Sequence, residues 1–285
     1  GGWRTMKHAL YGMLLALQFL TRLPLPVACP WTPATRRWAI RAYPLVGLMV
    51  GALLACVALL LGQWQTPSPI AALVLLSLWV AISGGLHLDG VMDLADALGS
   101  NQPLERRWEI MKDPQIGSFG MLALLFLLAW KGVLLWALLQ YHAPLWWLMV
   151  VPALGRWAGV ALLVLTPCAH SRGLAWSWQQ SLSCRDVGLA LVPLLPLALV
   201  WPAMALWLVA VACWLALTRA ALLRLFNGIN GDMVGATIEG GELWLLVLMW
   251  SWWQFVTVSP PGIYSAVTRA GEIFRCCFLM RRKGC

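Results

Sequence analysis

The chain has 285 residues, 61% hydrophobic and 11% charged, against about 45–50% and about 25% in soluble domains. Its mean hydropathy is +0.77, and no polar stretch is long enough to build a soluble domain. The formal net charge of +9 is scattered over loops instead of forming a basic stripe, and the eight cysteines contain no C-x-x-C pair. Nucleic-acid binding, a zinc site and a disulfide framework are therefore not indicated. The expected class is an all-α polytopic membrane helix bundle of about six to seven spanning helices set in a lipid bilayer.

In chain order, residues 9–20 form an apolar run too short to span, closed by Thr21-Arg22-Leu23-Pro24-Leu25-Pro26. The prolines stop the helix there, and the run reads as an interfacial or re-entrant helix. After a basic patch (Arg36, Arg37, Arg41), a first span covers about 43–62 and carries Gly47 and Gly51 at the G-x-x-x-G spacing that permits close helix approach. Further spans are expected near 70–85, 119–139, 144–166, 187–200, 203–218 and 243–258, with Pro193 and Pro196 kinking the fifth. Residues 9–258 read as one membrane-embedded domain and 259–285 as a basic, Cys-containing tail.

Basic residues occupy the N-terminal patch and the segments 86–118, 167–186 and 219–242, whereas 63–69, 140–143 and 201–202 have none. The positive-inside rule then puts the N-terminus and these basic segments on the cytoplasmic face. The tail breaks the alternation.

Only 11 residues are acidic, and nine of them fall in two windows: Asp89, Asp93, Asp96, Glu105, Glu109 and Asp113, then Asp232, Glu239 and Glu242. On a helix Asp89, Asp93 and Asp96 stand at i, i+4 and i+7, within roughly 60° of one another. A solvated helix face would mix charge signs, yet no Lys or Arg occurs in 86–104. A divalent cation removes the repulsion, and hard oxygen ligands suit Mg²⁺ or Mn²⁺. The neighbouring His87 could position a group, transfer a proton or, least suitably for Mg²⁺, act as a ligand.

Between the windows, Arg106, Glu109 and Asp113 share a face that allows local ion pairs. Alternatively, Arg106 and Lys112 neutralise substrate phosphates and Asp113 adds to the metal shell. In Asn227-Gly228-Ile229-Asn230-Gly231-Asp232, two Asn-Gly pairs mark turns. Glycines around one Asp, with Glu239 seven residues on, also suit a phosphate cradle with an added metal ligand. Lys131 and Arg156 lie inside spans, where a charge usually faces a partner or a cavity, but helical phase names no partner.

Five stretches in order resemble the cobalamin synthase (adenosylcobinamide-GDP ribazoletransferase) family: Phe19 through Pro24, Tyr43-Pro44-Leu45-Val46-Gly47, Gly84 through Gly90 with Asp93 and Asp96, Glu109 through Asp113 with Gly117 and Gly120, and Gly231-Asp232 through Glu239. The family's second window usually reads Gly-Gly-x-Thr-Gly-Asp. Here Asn227 replaces its first Gly, Asn230 its Thr, and Asp96-Ala97 stands for an Asp-Gly.

The resemblance implies a multi-pass enzyme of the bacterial cytoplasmic membrane, with its active site on the cytoplasmic side. It implies joining of a corrinoid nucleotide, adenosylcobinamide-GDP, to α-ribazole or its 5′-phosphate with release of GMP. Asp89, Asp93, Asp96 and His87 become candidate catalytic residues, and Asp89, Asp93, Asp96 and Asp232 the Mg²⁺ ligands. Arg22, Arg106, Lys112, Asp113, Asn230 and Glu239 become candidate substrate contacts. The implied setting leaves room for a homo-oligomer or for other cobalamin-assembly enzymes as partners. Two other readings stay open: a CDP-alcohol phosphotransferase, whose paired aspartates before Asp-Gly are absent around Asp89-Gly90, and a cation-coupled transporter, for which no internal repeat is evident.

Overall fold

The computed structural model describes residues 1–83 and 85–257, so the basic tail lies outside the described residues. The chain runs through α1 (Gly2–Leu20), α2 (Pro33–Gln63), α3 (Ser68–Ser83), α4 (Leu86–Gly99), α5 (Leu104–Lys112) and α6 (Ser118–Gln140). It continues through α7 (Trp147–Leu165), α8 (Leu174–Gln179), α9 (Cys184–Ala190), a 3₁₀ turn (Val192–Leu194), α10 (Leu195–Val200), α11 (Met204–Phe226) and α12 (Gly231–Trp252). Among the described residues there is no strand, only an isolated bridge between Cys168 and Ile229. The all-α membrane bundle is thus as expected. Five helices are long and apolar enough to cross a bilayer, or six if the bent pair α3–α4 is counted as one span.

Of the expected spans, the one at 187–200 does not form as a single helix. There the run is broken into the end of α9, the 3₁₀ turn and α10, because Pro193 and Pro196 each remove a backbone donor. The broken segment is anchored on both sides. Near its start, Asp186 pairs with Arg41 of α2 at 2.8 Å. Just past its end, the Trp201 ring stacks 6.2 Å from that of Trp147, at the first turn of α7.

Two helices begin earlier than the hydropathy suggests. Thr32 caps α2 by accepting the Thr35 N–H at 3.2 Å, and Pro33 sits in the first turn where its missing donor costs nothing. The basic patch Arg36, Arg37 and Arg41 therefore belongs to the 31-residue α2. Likewise α12 starts at Gly231 rather than near 243, so Asp232, Glu239 and Glu242 ride on a helix and not in a loop. The N-terminal helix α1 is also longer than the run at 9–20, but ends at Leu20 ahead of the prolines, and is not among the candidate spans.

α2 packs closely against α7. A Cβ at Gly47 would collide with the Ala153 backbone and one at Gly51 with the backbone of Leu148 and Met149. The Gly47/Gly51 spacing thus works as a close-packing seam. The described chain ends in the last turns of α12 and a π-helical turn, Trp253–Thr257.

A layer of charge lies inside the bundle. Lys131 of α6 approaches Glu239 at 2.5 Å and Glu242 at 3.8 Å, and Arg156 of α7 stands 3.7 Å from Glu242. All four side chains are buried, and Lys131 also lies 4.6 Å from the Trp79 ring centroid on α3. Two cations and two anions cancel, which is what makes such a layer tolerable at membrane depth.

Two outcomes follow for purified protein in detergent. Gly51→Leu should lower stability by about 1–3 kcal/mol through overpacking at the α2–α7 seam, while Met49→Leu, on an exposed position of the same helix, should leave thermal unfolding unchanged. Lys131→Met should cost about 3–5 kcal/mol by stranding Glu239, and adding Glu239→Gln should recover part of that loss in a double-mutant cycle.

Candidate active site

Gly85, at φ 74°, supplies the left-handed residue that precedes α4, and the chain axis turns 90° between α3 and α4. The acidic helix therefore leaves the line of α3 and lies against the start of α12. The approach is close: a Cβ on Gly90 would collide with the backbone oxygen of Asp232, and one on Gly235 would sit 3.1 Å from the His87 Cα.

That contact brings the two acidic windows together. Oxygens of Asp89, Asp93 and Asp232 lie within 4.8 Å of one another. Asp89 is exposed and the other two are half-buried. Burial, followed by the charges of Asp232, Asp89 and Asp96, pushes the Asp93 carboxyl up to about 7. Three oxygen donors that repel one another at this separation fit a hard divalent cation and could hold one.

Asp96 points elsewhere. Its two oxygens accept the Gly117 N–H at 2.8 Å and the Gly120 N–H at 2.7 Å, which satisfies backbone donors at the start of α6 and places a negative charge at that helix's positive end. It adds to the local field without belonging to the close trio. The sequence gives no sign of this, since the amides lie 21 and 24 residues downstream.

His87 is buried at the first turn of α4, and its Nδ1 has no hydrogen-bond partner. Burial first, then the positive charge of Arg156, lowers the imidazole to about 4. It is neutral at pH 7, which suits hydrogen bonding better than proton abstraction.

The loop before α12 explains the two Asn substitutions. Asn227 ends α11 in the left-handed region, φ 59° and ψ 17°, where Asn is the usual stand-in for Gly. Asn230 accepts the Met233 N–H at 3.2 Å, which is the capping role a Thr would also fill. Both replacements preserve the backbone that presents Asp232.

The remaining predicted contacts are spread out. Glu239 is committed to Lys131 in the buried layer, so it faces the interior and not the acidic trio. Arg106 makes an exposed pair with Glu109 at 2.7 Å. Lys112 lines a separate cleft of about 420 Å³ with Glu109, His170 and Asn227. Asp113 accepts the Gln115 N–H at 2.9 Å in the turn leading to α6. The Arg22 backbone donates to the Ile82 carbonyl at 2.8 Å, which ties the segment after α1 to the end of α3. Sequence reasoning passed over Arg107, whose guanidinium donates to the Leu225 carbonyl at 2.7 Å and fastens α5 to α11. Nothing in the run of bases distinguished it from Arg106.

The profile of the Cobalamin-5-phosphate synthase family matches residues 12–250. The chain is 37% identical over 278 residues to the adenosylcobinamide-GDP ribazoletransferase of Halalkalibacterium halodurans, a match that covers 88% of this chain and all of that one. It is 38% identical to the enzyme of the same name from Geobacillus kaustophilus, with 86% and 97% covered. The corresponding figures for Pseudomonas paraeruginosa are 39%, 86% and 99%. No solved structure matches the chain significantly. A full-length match of this kind, on a multi-pass helical membrane protein whose two acidic windows converge, establishes that the chain belongs to the cobalamin-5-phosphate synthase family.

Proposed function

We infer that this chain joins adenosylcobinamide-GDP to α-ribazole or its 5′-phosphate. A ribose hydroxyl attacks the cobinamide-linked phosphorus, a new P–O bond forms, and the P–O bond to GMP breaks. The observation that carries the reading is the convergence of Asp89, Asp93 and Asp232 from two windows of a chain in this family. Phosphoryl transfer needs placement and charge neutralisation more than covalent help from the protein, and this chain has little else to offer a phosphate at that point.

Asp89, Asp93 and Asp232 would hold Mg²⁺, with Mn²⁺ a second candidate. When bound, a divalent ion supplies Lewis-acid stabilisation of charge on the phosphoryl oxygens. The chain's own groups do the rest. A carboxylate oxygen of the trio not taken up by the ion is better matched than the buried, neutral His87 to take the hydroxyl proton. His87 offers a neutral imidazole to position the sugar. The basic residues of α5, Arg106, Arg107 and Lys112, support a cytoplasmic-facing site in the inner membrane. A CDP-alcohol phosphotransferase would show the same hydroxyl chemistry but release CMP.

The test is release of GMP from adenosylcobinamide-GDP plus α-ribazole by purified protein. GMP should appear only with Mg²⁺ or Mn²⁺, CDP-alcohol pairs should yield no CMP, and Asp93→Asn should lower turnover by about 100-fold or more. Near-normal turnover in folded Asp93→Asn would remove Asp93 from the site.

A second expectation concerns pH. A carboxyl raised in the folded state favours folding while protonated, so its contribution is full below its ordinary value of about 4 and is lost as pH rises through about 7. Metal-free protein should therefore melt progressively lower from about pH 4 to about pH 7, and Mg²⁺ should reverse the trend. Protons also compete with the ion, so the apparent Mg²⁺ constant for activation should weaken as pH falls below about 7, by up to about tenfold per unit.

A further inference from the structure

A pocket of about 320 Å³ adjoins the carboxylates. Its polar end is formed by His87, Asn230, Gly231 and Asp232, and Asp232 is also a member of the acidic trio. Its body is aromatic and aliphatic. Trp178 of α8 meets Phe19 of α1 edge-on at 5.3 Å and Tyr43 of α2 at 6.2 Å, and all three line the cavity. Leu86 and Leu174, both more than half exposed, stand at the opening. Neither a lysine nor an arginine is among the lining residues.

This lining describes its ligand. A body of aromatic walls takes a flat, largely apolar ring system by burial and edge or face contacts. The absence of basic side chains makes it a poor seat for a pyrophosphate, whose charge needs Arg or Lys. The volume is far too small for a corrin macrocycle with its side chains. At the polar end, the Asn230 amide, the Gly231 backbone and the Asp232 carboxylate suit a hydroxyl-bearing group. A nucleoside with an apolar bicyclic base and a ribose meets all of these demands.

Resting on the transfer reaction inferred above, we propose that this pocket is the acceptor site. It holds the benzimidazole base of α-ribazole among Phe19, Tyr43 and Trp178 and turns the ribose toward His87 and Asp232. The corrinoid and guanine nucleotide parts of the donor then lie outside it. The walls of α1, α2 and α8, rather than the acidic helix, set which base the enzyme accepts.

The experiment alters the size of the pocket and varies the size of the base. Ala175→Leu fills the cavity and Leu163→Ala widens it. Each variant is assayed by GMP release from adenosylcobinamide-GDP with α-ribazole, with the nucleoside of unsubstituted benzimidazole and with one of a wider naphtho-fused base. Ala175→Leu should raise KM for α-ribazole tenfold or more, penalise the smaller base less, and leave KM for adenosylcobinamide-GDP unchanged. Leu163→Ala should improve the wider base relative to α-ribazole. A folding defect would lower all three bases alike and could not invert their order. An unchanged order in both variants, or a rise in donor KM alone, would overturn the assignment of the pocket. If the unaltered protein released no GMP from any of these pairs, the reaction itself would be wrong, and the pocket's assignment would fall with it.

Discussion

The contact between Gly90 of α4 and the Asp232 backbone of α12 sets the distance on which the site depends. With side chains there, the two helices would stand further apart, and Asp89, Asp93 and Asp232 would be two separate acidic patches. The contact is opposed by the charges it gathers. Three carboxylates within 4.8 Å repel, and part of that repulsion appears as the raised Asp93 carboxyl. Packing therefore assembles a site that is electrostatically unsatisfied, which is a reason for it to attract a cation.

The buried charge layer stands in instructive contrast. Lys131, Arg156, Glu239 and Glu242 are equally unusual for a membrane interior, yet their charges cancel within the layer. Both sets use α12: Asp232 belongs to its first turn, while Glu239 and Glu242 follow two and three turns on. One helix thus carries an unbalanced acid at its end and balanced acids in its interior. Because the interior acids are paired to α6 and α7, they fix the depth and rotation of α12, and so the position of Asp232.

Much of this was readable in advance. The spacing of Asp89 and Asp93 on one helical stripe, without a cation nearby in sequence, pointed to their joint role, and basic-residue alternation put both windows on one face. The start of α12 was hidden because Asn-Gly pairs imitate an extended loop. In fact Asn227 ends one helix and Asn230 caps the next, leaving a short link between them. The partners of Lys131 and Arg156 were hidden because spans that are apolar on nearly every side carry little phase information. Asp96 looked like a third ligand because periodicity reports direction along one helix and says nothing of a neighbouring helix start. The fifth span failed as a single helix where its prolines stood.

The attachment of Asp96 to the amides of Gly117 and Gly120 has a mechanical consequence. It welds the acidic helix to the 23-residue α6, while Gly90 presses the same helix onto α12. A helix clamped on both sides works as an anvil. It cannot swing toward a substrate without dragging two long helices through the bilayer, so its carboxylates hold their places before any ligand arrives. The entropy of ordering them is then spent in folding rather than at each turnover. Whatever closes over the reactants must come from lighter parts of the molecule.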